Sequence, residues 1–148
     1  MGFFDSLATL GKNFLADAEK ALGKVSSRST LARVVQASYL IALADGHVDD
    51  SEKLTLGKVI QRKLPYFSNS DVAKEIAAAE DLCALSLIAG KVEILENIQK
   101  AAGTDDAKII MLGILAVANA DSEFSPSEMQ VARDICIKLG LSTREYGL

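Results

Sequence analysis

The sequence predicts an all-α fold, a single bundle of seven to eight helices built around a duplicated helix–acidic turn–helix unit. Three observations predict it. No segment sustains the apolar–polar alternation of a half-buried strand. Apolar residues recur instead at helical spacing, with only two prolines in the chain to interrupt them. One segment also occurs twice, 76 positions apart: Ala44-Asp45-Gly46-His47-Val48-Asp49-Asp50-Ser51-Glu52 and Ala120-Asp121-Ser122-Glu123-Phe124-Ser125-Pro126-Ser127-Glu128. Both copies carry an Asp, an apolar residue, an N-cap type residue and a Glu three further on. Such self-similarity predicts two equivalent halves, about 30–65 and 106–140, related by a pseudo-two-fold axis. At 148 residues the chain is read as one domain, 1–148, long enough to bury a continuous core.

The first predicted helix, residues 3–22, is amphipathic. Phe3, Leu7, Leu10, Phe14, Leu15, Ala18 and Leu22 share one face, Lys12, Asp17 and Lys20 lie largely on the other, and Gly23 is the expected stop. This helix has two readings: its Phe-led face packs on the bundle, or it docks on a membrane surface or a partner. After the polar linker Ser26-Ser27-Arg28-Ser29, Thr30 caps a helix to Ala44 that is apolar on most sides and so belongs at the centre of the bundle. Beyond the first acidic turn, Leu56, Val59, Ile60 and Leu64 mark one face of a helix that Pro65 ends. Ser68 or Ser70 caps the next helix, from Asp71 to about Ala89, which Gly90 breaks. A further helix ends at Gly103, and Thr104 or Asp105 opens the second central helix, 106–120. Pro126–Leu139 is the last long helix, with Gly140 as its terminator and a short turn to Leu148.

Composition excludes several functions. The net charge is −4 and no basic stripe exists, which argues against nucleic acid as a partner. The longest apolar run, Ile109 to Ala118, falls short of the roughly 20 residues a membrane-spanning helix needs. Asp5, Lys12 and Asp17 interrupt any secretory core, and a cytoplasmic protein is the expectation. Cys83 and Cys136 stand alone and read as small buried hydrophobes of a reducing compartment. His47 is the only histidine, no nucleophile–base set or Gly-rich phosphate loop is visible, and the chain is not read as an enzyme.

The acidic turns are the candidate site. Asp49-x-x-Glu52 and Ser125-Pro126-x-Glu128 have the form of capping boxes, each worth on the order of 1 kcal/mol, with Val48 and Phe124 as staple residues. Capping leaves Asp45 and Asp121 unexplained, because a negative charge at a helix C-terminus opposes the macrodipole and asks for a partner. Two readings stand. The residues serve capping and Asx-type turns, or the oxygens of Asp45, Asp49 and Glu52, with Asp121, Glu123 and Glu128 in the second copy, converge on a hard divalent cation such as Ca²⁺ or Mg²⁺. The spacing is not that of an EF-hand loop.

At these residues the chain resembles the TerB family of bacterial tellurite-resistance proteins. The likeness is carried by the opening Met1-Gly2-Phe3-Phe4-Asp5, by Ala42-Leu43-Ala44-Asp45-Gly46-x-Val48-x-x-x-Glu52-Lys53, by Ala116-Val117-Ala118-Asn119-Ala120-Asp121, and by the closing Leu139-Gly140-Leu141 and Glu145-Tyr146-Gly147-Leu148. From Tyr66 to Gly103 it extends only to helical character. The resemblance implies an all-helical pseudo-two-fold bundle of a tellurite and stress-response system. It also implies a non-enzymatic role, metal bound through the acidic turns, and a protein partner integral to the membrane. Carried over, the positions are Asp45 and Glu52, then Asp121 and Glu128. The second copy departs from the pattern, with Ser122 for Gly and Ser125-Pro126 for acids. The alternative is a peripheral membrane adaptor docked through the N-terminal helix, and a metal-dependent hydrolase is a more distant third.

Overall fold

The stretch that is apolar on nearly every side forms the helix around which the others pack. The structure, a computed structural model, describes residues 12–120 and 125–148, with side chains described from Ala16 onward except that of Asn119. Seven α-helices run through the described residues: α1 (Lys12–Gly23), α2 (Arg28–Leu43), α3 (Asp50–Lys63), α4 (Asn69–Ala84), α5 (Leu87–Gln99), α6 (Asp105–Asn119) and α7 (Pro126–Lys138). A 3₁₀ turn, Thr143–Tyr146, follows. The described residues contain no strand, and the expected all-helical class is what forms.

The repeat survives as architecture. Shifting α2 and α3 by 76 positions superposes their spans on α6 and α7 to within a residue at each end. The two first helices, α2 and α6, pack on each other, while α2 also packs on α7 and α6 on α3. Each hairpin's first helix thus meets the other hairpin's second helix, the reciprocal pairing that a two-fold relation requires. Leu31, Val34, Val35 and Leu40 of α2 and Ile110, Met111, Ile114 and Leu115 of α6 are buried in this centre. Gly113 lets the two helices approach: a Cβ there would lie 3.1 Å from Val34 Cγ2. Around this pair, α4 packs on α2 and α3, α5 on α2, α4 and α7, and α1 on α6. Ala18 and Leu22 of α1 are buried as expected, whereas the Phe3–Phe14 face lies outside the described side chains.

Local chemistry explains most boundaries. Ser27, not Thr30, caps α2, its Oγ accepting from Thr30 N at 3.4 Å. Ser68 caps α4 in a capping box with Asp71, and α3 stops at Lys63 two residues short of Pro65. Gly140 ends α7 at φ +72°, with Leu141 N donating to Cys136 O and Gly140 N to Ile137 O, a Schellman closure.

One boundary corrects the sequence expectation. The break between α4 and α5 falls at Leu85–Ser86, where Ser86 Oγ accepts from Ala89 N, and Gly90 sits inside α5. Gly90 is small for packing rather than for termination. A Cβ there would lie 2.5 Å from Leu82 O and 2.7 Å from Cys83 Cα.

Candidate functional site

The first acidic turn begins where α2 runs out. Ala44 closes the helix in αR geometry, and Gly46 then adopts φ +135°, a region that disfavours residues with a Cβ. Val48 turns inward and is buried, as a staple residue should be. Asp49 Oδ1 accepts from Glu52 N at 2.8 Å, and Glu52 Oε1 accepts from Asp49 N at 3.4 Å. The Glu52 backbone amide, above all, holds the Asp49 carboxyl below the usual aspartate range. Both predicted acids of this cap are therefore engaged in capping α3.

In the second copy Ser125 caps α7 in the same way. Its Oγ accepts from Glu128 N at 3.1 Å, Glu128 Oε1 accepts from Ser125 N at 3.1 Å, and Pro126 opens the helix. The same hydroxyl donates its proton to Asp45 Oδ1 at 2.9 Å. Asp45, exposed at the C-terminus of α2, thereby finds the partner its charge asks for in the other copy of the repeat. Glu128 is half-buried beside this pair, and its carboxyl is pushed up, first by burial and then by the neighbouring Asp45.

The structure thus joins Asp45 with Ser125 and Glu128 rather than with Asp49 and Glu52. Among the described residues no group of three or more His, Cys, Asp or Glu side chains is placed to hold a metal ion. The Asp121 and Glu123 candidates lie outside the described residues. His47 is exposed beside the first turn.

Between the halves opens a cleft of about 280 Å³. Glu52 and Glu128, equivalent positions of the repeat, both line it, together with Ser38, Ile41, Val59 and Ile114. Ser38 was not among the candidates. Its only sequence signal is a small polar residue within the apolar run Val34 to Leu43 of that helix.

The family described as tellurite resistance protein TerB matches residues 34–148, most of the chain. The chain belongs to the TerB family. The TerB match takes in both acidic turns, the cleft and the helices from Tyr66 to Gly103, and it does not include the opening Met1–Asp5. No curated protein matches the chain, and no solved structure does. No helix among the described residues is long and apolar enough to cross a membrane.

Proposed function

We propose that this TerB-family chain is a non-catalytic stress-response module of a tellurite-resistance system, acting by binding a protein partner and a hard divalent cation at its acidic turns. One observation carries the reading: the Asp45–Ser125–Glu128 corner, where carboxylates from both halves of the repeat meet. Two carboxylates side by side repel, and a divalent cation relieves that repulsion. The donor set fits hard-cation chemistry, since every group in it is oxygen. Two carboxylates suit Mg²⁺, which keeps several of its waters, and Ca²⁺ needs more oxygens than these residues supply.

A catalytic role finds little support in the chemistry at hand. The only imidazole is exposed, and burial pushes the thiols upward, Cys136 to about 11. Partner binding is supported by the α4–α5 corner, where Leu85, Ile88 and Val92 are exposed to solvent within eight positions of the chain.

Melting curves at rising Mg²⁺ or Ca²⁺ test the cation. At tenfold excess over Kd, mass action stabilises by about 1.4 kcal/mol, or roughly 3–5 °C for a chain of this size. The variant D45N keeps the acceptor for Ser125 but loses the charge, and its melting temperature stays flat. A wild-type melting temperature that ignores millimolar ion contradicts the cation.

A further inference from the structure

Capping and core packing leave one group in the cleft unused. Ser38 is 4% exposed, and its Oγ is enclosed without a hydrogen-bond partner among the described residues. Ser38 is among the residues that line a cavity whose other walls are largely aliphatic, from Ile41 and Val59 to Ile114 and Val117. Glu52 and Glu128 line this cavity from opposite halves, and among the described residues no Lys or Arg lines it. Neither glutamate forms an ion pair among the described residues.

We propose that this cleft binds an aliphatic cation, an ammonium or guanidinium head held by Glu52 and Glu128 on an apolar stem that brings a polar atom to Ser38 Oγ. Each part of the ligand answers a part of the cleft. Two carboxylates without a basic neighbour attract positive charge, most strongly where low-dielectric walls exclude water. Aliphatic walls favour a carbon stem over a hydrated metal ion. A buried hydroxyl left unpaired is costly, and a polar atom on the ligand relieves that cost. The inference rests on the reading of the chain as a binding module and adds an organic ligand to it.

The test is a titration of the ¹⁵N-labelled full chain, followed by NMR, with 5-amino-1-pentanol, n-pentylamine and 1-pentanol. The amino alcohol shifts the amides of Ile41, Ala42, Val59 and Val117 and binds more tightly than either monofunctional probe. E52Q and E128Q each weaken it about tenfold, the loss of one charge-assisted hydrogen bond. Gln at the third helical position preserves the capping box, so both variants keep the fold. S38A removes the advantage of the amino alcohol over n-pentylamine. N-acetyl-lysine N-methylamide tells the two sources of such a cation apart. Binding as tight as that of the amino alcohol assigns a partner's side chain, and its exclusion assigns a free amine. Absent shifts, 1-pentanol binding as well as the amine, or unchanged affinity in the doubly substituted E52Q/E128Q chain each overturn the proposal. A parallel Mg²⁺ titration separates the two readings: metal bound without amine overturns the cleft and leaves the corner standing, and the reverse leaves only the cleft.

Discussion

At the scale of single residues, Glu128 is the most informative group. Its folded-state pKa is raised above the ordinary 4.5 by burial and by Asp45. For an acid this sign means that the protonated form is favoured by the fold. The contribution is fully present below 4.5 and is lost as pH rises through the raised folded value. The variant E128Q keeps the cap acceptor and cannot ionise. It therefore melts higher than wild type at pH 7, and the gap closes as the pH falls below 4.5; a lower melting temperature at pH 7 would mean that the carboxylate is fully compensated. Asp45 shows what a sequence reveals at this scale. That a charge at the end of α2 needs a partner follows from the helix dipole alone. The partner proved to be a hydroxyl 80 residues on, a distance over which no local pattern speaks.

At the scale of elements, capping chemistry was legible because it is local. Asp49, Ser68 and Ser125 each close the capping box with an acid three residues later. S125A costs about 1–2 kcal/mol in chemical denaturation. It costs more than S68A, since it also strips Asp45 of its donor. Equal costs would show that the bond across the repeat adds nothing. Gly90 marks where local reading fails. A glycine after an Ala-rich run signals a helix end, yet here it is spent on the close approach of α5 to Leu82 and Cys83, a demand set by tertiary packing. Helix propensity predicts that G90A stabilises by up to about 1 kcal/mol. The contact with backbone predicts the opposite sign, a loss of roughly 2–4 kcal/mol. A single urea titration decides between them.

At the scale of the whole molecule, the duplication was visible in sequence because the same residue types recur at a constant offset through two helices and a turn. What the offset could not convey is how the copies face each other. The packing of α2 on α7 carries the end of one hairpin's first helix to the start of the other's second helix. Asp45 of the first copy consequently meets Ser125 and Glu128 of the second, where the sequence had suggested one cluster in each. A paramagnetic divalent ion reads this sharing directly, because Mn²⁺ accepts the same carboxylate donors as Mg²⁺ and Ca²⁺ and broadens nearby amide signals. Titrated into the ¹⁵N-labelled chain, Mn²⁺ should broaden Asp45 and Gly46 of the first turn and Ser125 and Glu128 of the second over one concentration range. Broadening confined to one turn, or spread evenly over the surface acids, would contradict a site built jointly by the two halves.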